Sequence, residues 1–201
     1  MRTTARAITY LFHPLLMPTL GLLLLLNSGT YLSLLDPAAK RAIIFVMALG
    51  TLIFPLLMLP VLYYRRLVTS FQDPPFEERA IPMLIILVLY VITYIYFSRL
   101  PLSRIIHAYS LSLPMIMFVL LILGLRVRLS EHMAALGGIT GLIIALIWLY
   151  DTPLEFILMI TLVAAGLTGS ARLVLGSNRP GEVFWGFMLG FLMVVGTLLI
   201  Y

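Results

Sequence analysis

Long apolar runs alternate with short polar segments along the whole chain. Because an α-helix rises about 1.5 Å per residue, roughly 17 to 25 apolar residues cross the hydrocarbon core of a bilayer. Apolar runs of about that length cover residues 8–27, 42–64, 81–98, 105–125, 132–150, 153–171 and 183–200. Pro14 and Pro18 interrupt the first run, which predicts a bent or re-entrant segment there. The pattern therefore predicts an all-α, polytopic membrane helix bundle with six or seven transmembrane helices.

The composition supports an integral membrane protein. Of the 201 residues, 62% are hydrophobic and 10% are charged, which is more apolar surface than a soluble domain of this length can bury. We therefore expect one transmembrane domain over residues 1–201, without a separate soluble domain. The chain has no cysteine, which excludes disulfides and thiolate metal sites. Its short loops offer no basic face large enough for nucleic acid, so nucleic acid is not an expected partner.

Seven spans would place the N-terminus and three polar loops, at 65–80, 126–131 and 172–182, on one face of the membrane. That face carries nine of the 13 positively charged residues and the other face carries four. The nine are Arg2, Arg6, Arg65, Arg66, Arg79, Arg126, Arg128, Arg172 and Arg179. An excess of this kind favours a cytoplasmic location. Setting aside the four arginines that are candidates for a site leaves five against four, so the charge count leaves the orientation open.

The first polar loop combines carboxylates with an arginine. It contains Asp73, Glu77, Glu78 and Arg79, around two prolines that prevent a regular helix. One interpretation is a solvated turn with local ion pairs. In the other interpretation, Arg79 and one carboxylate fold over a pocket. The three carboxylates could hold a divalent cation, but their pattern is unspecific, and we expect no metal and no cofactor.

The second polar loop places Arg128, Ser130, Glu131 and His132 directly before a glycine-rich apolar run. Ser130 is a suitable N-cap for that helix, whose first turn has free backbone N–H groups and a positive dipole end. Together with Arg128, this helix start would bind an anion such as a phosphate. His132 is either a structural interface residue or a catalytic one.

The third polar loop holds Arg172, Asn178, Arg179 and Glu182. Asn178 and Glu182 are four residues apart and can face each other across the first turn of the last helix, where the dipole favours a carboxylate. A structural ion pair between Arg172 and Glu182 would also explain these residues. Because this loop and the second loop are predicted on the same face, we expect them to form one site.

Residues 171–190 resemble the third signature of the type 2 phosphatidic acid phosphatase family, the membrane lipid-phosphate phosphatases. That signature is Ser-Arg, five residues, His, three residues and Asp, often continued by Val-x-x-Gly. Ala171 and Arg172 fill the Ser-Arg place, Asn178 the histidine place and Glu182 the aspartate place. Val183, Gly186 and Gly190 continue the pattern. "LSEH" at 129–132 resembles the Pro-Ser-Gly-His of the same family, so the resemblance extends over residues 126–190.

The resemblance implies a phosphate site. By position, Arg172 and Ser130 would bind phosphate, His132 would protonate the leaving alcohol and Glu182 would orient the nucleophile. Arg128 or Arg79 would replace the charges of the first family signature, which has no direct match. Asn178 stands where the family has its nucleophilic histidine, and an amide cannot accept a phosphoryl group as an imidazole can.

Two chemical alternatives follow from Asn178. His132 attacks phosphorus or activates water while Asn178 hydrogen-bonds a phosphate oxygen, or the chain is a pseudoenzyme that binds its lipid without turnover. We therefore expect a phosphatidic acid phosphatase-like protein of a bacterial inner (plasma) membrane that binds, and in the first alternative hydrolyses, phosphatidate or a polyprenyl phosphate. A lipid transporter or flippase and a non-catalytic membrane assembly protein are the other functional hypotheses.

Overall fold

The computed structural model describes residues 2–65 and 76–201, apart from the side chains of residues 59, 63 and 76–78. Asp73 lies outside the described residues, as do the side chains of Glu77 and Glu78, so the proposed role of these carboxylates is not addressed. Over the described ranges every regular element is helical. The α-helices are α1 (Arg2–Leu11), α2 (Met17–Leu26), α3 (Pro37–Ala48), α4 (Phe54–Tyr64), α5 (Phe76–Ser98), α6 (Arg104–Gly124), α7 (Glu131–Tyr150), α8 (Glu155–Val174) and α9 (Pro180–Ile200).

Six helical segments among the described residues are long and apolar enough to cross a membrane. A π-helical turn, Leu49–Ile53, joins α3 and α4 into one of them, and α5 to α9 provide the other five. The prediction of an all-α integral membrane protein is thus confirmed. No membrane span of full length forms over residues 8–27, because the helix stops at Leu11 and a ten-residue α2 begins at Met17.

The break between α1 and α2 follows from the two prolines of the first apolar run. Pro14 has no backbone N–H to donate into a helix, and Pro18 sits in the first turn of α2, where that absence costs nothing. The connecting residues turn tightly, with the Leu16 N–H donating to the His13 carbonyl at 3.0 Å. The bend expected from the sequence is therefore present, and it holds His13 outside any regular helix.

Among the helices that the structure describes, α7 and α9 form the most closely packed pair, and glycines make this approach possible. Gly137 and Gly141 of α7 face the backbone of α9, while Gly186 and Gly190 of α9 face the backbone of α7. A Cβ atom built on Gly186 would lie only 2.6 Å from the carbonyl oxygen of Ser130. The small-residue spacing therefore serves close helix packing, and this packing fixes the start of α7 against the start of α9.

Contacts at the two ends of the bundle show which loops share a face. At one end Arg79 pairs with Glu131, and the Ser130 N–H donates to the Glu182 carbonyl at 3.1 Å. At the other end the ring of Tyr31 lies 6.0 Å from that of Tyr150. The second and third polar loops therefore meet at one end of the bundle, as predicted, and Arg79 joins them there.

Candidate functional site

A cavity of about 840 Å³ opens at the end of the bundle where these polar loops meet. Polar side chains line its entrance, and we call this group the polar neck. The polar neck consists of Arg6, Thr9, His13, Arg79, Glu131, His132, Arg172 and Asn178. Below it the walls are mainly apolar, and we call this part the apolar chamber. Representative members of the apolar chamber are Met17, Leu52, Met83, Leu113, Met117 and Ile139.

The cavity extends well into the helix bundle. Its wall on α5 runs from Arg79 to Tyr90, and its wall on α6 runs from Leu120 back to Tyr109. Each stretch covers 11 helical steps, or roughly 16 Å at about 1.5 Å per residue. That is about half of a hydrocarbon core roughly 30 Å thick. The cavity therefore connects a charged interface with an apolar interior.

Arg172, Asn178 and Glu182 form a hydrogen-bonded chain at the polar neck. Arg172 donates from Nε to Oδ1 of Asn178 at 2.8 Å, and Asn178 donates from Nδ2 to Oε2 of Glu182 at 2.8 Å. Glu182 also accepts the backbone N–H of Arg179 at 3.1 Å, which caps the start of α9. The predicted contact between Asn178 and Glu182 is present, with Asn178 bridging the arginine and the carboxylate.

The local sequence explains how this chain of contacts is built. Arg172 lies in the last turn of α8 and Glu182 lies in the first turn of α9. Gly176 has φ +72°, a left-handed conformation that a glycine adopts without strain and that reverses the chain between the two helices. The five residues between Arg172 and Asn178 are thus enough to bring Asn178 back onto the arginine that ends α8.

An ion pair between Arg79 and Glu131 closes the opposite side of the polar neck. The guanidinium donates from an Nη atom to Oε1 of Glu131, and the two side chains are 20% and 28% exposed. This pair joins the start of α5 to the start of α7 across a partly buried interface. The position of Arg79 is consistent with the interpretation in which Arg79 folds over a pocket. The carboxylate that pairs with Arg79 is Glu131, which belongs to the second polar loop and not to the first.

Two histidines face each other in the polar neck. The ring centroids of His13 and His132 are 5.7 Å apart with an edge-to-face geometry. Burial lowers the pKa of His13 below the ordinary value of 6.5, and the nearby Glu131 opposes this shift. The Nε2 atom of His132 is buried and has no hydrogen-bond partner among the described residues. Sequence reasoning did not select His13, although a titratable side chain inside an apolar run is a recognised sign of a functional site.

The other predicted site residues are Ser130, Arg128 and Glu182, and each of them has a different environment. Ser130 occupies the N-cap position of α7, as the sequence predicts, and its buried side chain makes no capping hydrogen bond. Arg128 is exposed and is not one of the described residues that line the cavity. Ser130 is likewise not one of the described residues that line the cavity, and the expected phosphate site between Arg128 and Ser130 stays a prediction. Glu182 acts on the polar neck through Asn178.

The chemistry of the polar neck suits an anion. Arg6, Arg79 and Arg172 contribute guanidinium groups to it, whereas Glu131 is the one carboxylate among the described residues of its wall. Among the side chains that the structure describes, which exclude those of Glu77 and Glu78, no three His, Asp or Glu residues cluster as a metal site would require. No protein-family model, curated protein or solved structure matches this chain. The functional assignment therefore depends on the geometry of the cavity and on the motif resemblance.

Proposed function

We propose that this chain binds a phosphorylated lipid, with the phosphate in the polar neck and the hydrocarbon tail in the apolar chamber. One observation carries the proposal: a single cavity joins a cluster of arginine and histidine side chains to an apolar interior. The motif resemblance supports the same ligand class, because its residues Arg172, Asn178 and His132 line this cavity and Glu182 accepts a hydrogen bond from Asn178. We place the protein, again as a proposal, in a bacterial inner membrane.

The charges of the polar neck favour a phosphate over an uncharged headgroup. Guanidinium groups bind phosphate through charge-assisted, often bidentate hydrogen bonds. Among the described residues of its wall, the polar neck has three guanidinium groups, those of Arg6, Arg79 and Arg172, and one carboxylate, that of Glu131, which pairs with Arg79. Each hydrogen bond to a charged group contributes about 1.5–3 kcal/mol. Two such bonds, about 3–6 kcal/mol together, would therefore favour a lipid phosphate over the matching alcohol by at least roughly a hundredfold in affinity.

The apolar chamber suits a hydrocarbon tail. Cavities that bind small molecules have volumes of roughly 300–1,000 Å³ and mainly apolar walls with a few polar groups. At about 840 Å³, with Leu113, Met117 and Ile139 along its walls, this cavity belongs to that class. A polyprenyl phosphate presents a phosphate at the end of one such tail, and phosphatidate presents it on a glycerol that carries two tails.

The state of Asn178 favours binding over hydrolysis by the family mechanism. Its amide oxygen accepts from Arg172 and its amide nitrogen donates to Glu182, so both polar atoms are engaged. An amide is also essentially non-nucleophilic. The proposed function is therefore a phosphatidic acid phosphatase-like binding protein, and hydrolysis would require His132 to replace the missing nucleophile.

The test compares lipid binding and phosphate release by the purified full chain in nanodiscs. Hexadecyl phosphate is expected to bind roughly a hundredfold more tightly than hexadecanol. Equal affinity for the two compounds would contradict the proposal. Phosphate release is measured for the wild type, His132→Ala and Asn178→His. Release only by Asn178→His indicates a phosphate site that lacks its nucleophile, whereas wild-type release that disappears in His132→Ala identifies a hydrolase.

A further inference from the structure

The cavity has a mouth between α1 and α4. Among the described large hydrophobic residues that line the cavity, only Tyr10 of α1 and Leu56 of α4 are exposed, by 69% and 45%. Leu56 belongs to the apolar segment Pro37–Leu62, which is long enough to cross a membrane. It lies roughly 12 Å before Tyr64, the last residue of α4. The mouth therefore extends from the polar neck to a depth at which it faces hydrocarbon.

Helix α4, which forms one side of this mouth, is loosely held. Among the described elements it packs mainly against α5 and against the π-helical turn that it continues. Of its described side chains, only those of Pro55 and Leu62 are buried. Pro60 has no N–H to donate to the Leu56 carbonyl, so the helix lacks one of its own hydrogen bonds. Elements with few buried contacts open at a low free-energy cost, and α4 can therefore move while the packed core stays intact.

The π-helical turn, in contrast, is fixed at the base of α4. Thr51 donates from Oγ1 to a backbone carbonyl one turn earlier at 2.9 Å. In the 3.2 Å contact between Thr51 and Thr19, the hydroxyl of Thr19 is therefore the donor, and this bond ties the turn to α2. A Cβ atom built on Gly50 would overlap the side chain of Thr93, so this glycine lets the turn pack against α5. The base of α4 is thus held between two helices.

The π-helical turn also lies at the right depth to act as a hinge. Sharp bends in helices, above about 20°, occur at π-helical turns and at prolines. Thr93, which packs against the turn, is one turn beyond Tyr90, the deepest residue of α5 that lines the cavity. The 11 residues of α4, roughly 16 Å in length, then extend along the apolar chamber from its floor to the polar neck.

We propose that α4 is a gate of the cavity, which bends at the π-helical turn and opens the mouth between α1 and α4 to the bilayer. A lipid already in the membrane then enters the apolar chamber sideways, past Leu56, without leaving the hydrocarbon core. This inference rests on the proposed function for the identity of the lipid and adds the route by which the lipid reaches its site. A bend of about 20° would move Val61, which lies roughly 12 Å beyond Ile53, by about 4 Å.

Spin labels measure this movement directly, and the chain has no native cysteine that would also be labelled. One label is attached to Leu192 of α9, and the other either to Val61 beyond the turn or to Phe45 of α3 before it. All three residues are exposed, so the labels replace no packed side chain. In the full chain in nanodiscs, Val61→Cys with Leu192→Cys is expected to show two distances about 4 Å apart. Phe45→Cys with Leu192→Cys is expected to show one distance. A single distance for the Val61 pair would overturn the gate.

The rate of lipid entry tests the mouth. Hexadecyl phosphate with a photoreactive diazirine in its tail is added to the nanodiscs, and light is applied at increasing times to follow the labelled fraction of the chain. Leu56→Trp places a larger side chain in the mouth and is expected to slow labelling about tenfold without changing its final extent. Leu57→Trp is the matched control, because Leu57 is exposed on the same helix and is not one of the described residues that line the cavity. Equal labelling rates for the two variants would refute the mouth.

The outcomes distinguish this inference from the function on which it rests. If the Val61 pair shows two distances but hexadecyl phosphate binds no more tightly than hexadecanol, the gate stands and the proposed function fails. If hexadecyl phosphate binds as proposed but the Val61 pair shows one distance, lipid phosphate binding stands and the gate is refuted.

Discussion

Replacing Gly186 by alanine is expected to disturb the site through the packing of α7 and α9. The added Cβ would lie 2.6 Å from the carbonyl oxygen of Ser130, and ordinary van der Waals contact begins at 3.4 Å. The start of α9 must therefore move about 0.8 Å away from Ser130. The same movement stretches the 3.1 Å hydrogen bond from the Ser130 N–H to the Glu182 carbonyl beyond hydrogen-bonding distance.

The expected effect on stability is small and the effect on binding is larger. Losing one backbone hydrogen bond costs about 1 kcal/mol, and the higher helix propensity of alanine offsets about the same amount. Binding depends on the position of Asn178 and Glu182 relative to His132, and site geometry has to be held within about 0.5 Å. Gly186→Ala is therefore expected to bind hexadecyl phosphate about tenfold more weakly while its unfolding temperature changes little.

Gly196→Ala is the matched control for this substitution. Gly196 lies in the same helix, and a Cβ atom built on it has nothing within 4 Å. This variant is expected to retain wild-type affinity and a wild-type or slightly higher unfolding temperature. Binding of hexadecyl phosphate and thermal unfolding in nanodiscs are measured for both variants. Wild-type affinity in Gly186→Ala would refute the claim that close packing of α7 against α9 positions the site.

Three further predictions concern the polar neck. Glu131→Gln releases Arg79 from its ion pair and is expected to tighten hexadecyl phosphate binding, whereas Arg79→Gln is expected to weaken it. Equal affinities of the two variants in binding titrations at low salt would contradict this. Asn178→Leu loses hydrogen bonds to Arg172 and Glu182, so we expect the free energy of unfolding to fall by about 2 kcal/mol, measured by chemical denaturation. Because burial lowers the pKa of His13 in the folded protein, the unfolded chain takes up a proton first as the pH falls below about 6.5. The wild type should therefore lose stability between pH 7.5 and 5.5 more steeply than His13→Gln in thermal unfolding, and parallel pH curves would refute the effect.

The helices were largely predictable because hydrophobic length is a strong signal in membrane proteins. The run at 132–150 corresponds to Glu131–Tyr150, and the run at 183–200 corresponds to Pro180–Ile200. The run at 8–27 was harder to interpret, since its mean hydropathy suits a span while its prolines do not. The structure resolves this conflict with a break at residues 12–16 and a short α2.

The site was predictable only where its contacts are local in sequence. Asn178 and Glu182 are four residues apart, and the geometry of a helix start is enough to bring them together. The contact of His13 with His132 depends on the packing of distant segments, which no local pattern encodes. Arg128 is close to His132 in sequence, but it is exposed and is not one of the described residues that line the cavity. Proximity along the chain therefore did not predict which loop residues line the cavity.

The most direct test of lipid binding in this cavity locates the tail of a bound lipid. Hexadecyl phosphate with a photoreactive diazirine near the end of its tail is bound to the purified chain in nanodiscs and activated by light, and the labelled residues are identified by mass spectrometry. Labelling is expected at Leu113, Met117 and Ile139, which line the apolar chamber, and an excess of unlabelled hexadecyl phosphate should abolish it. Labelling confined to Phe156 and Val163, on the exposed surface of α8, would contradict the account.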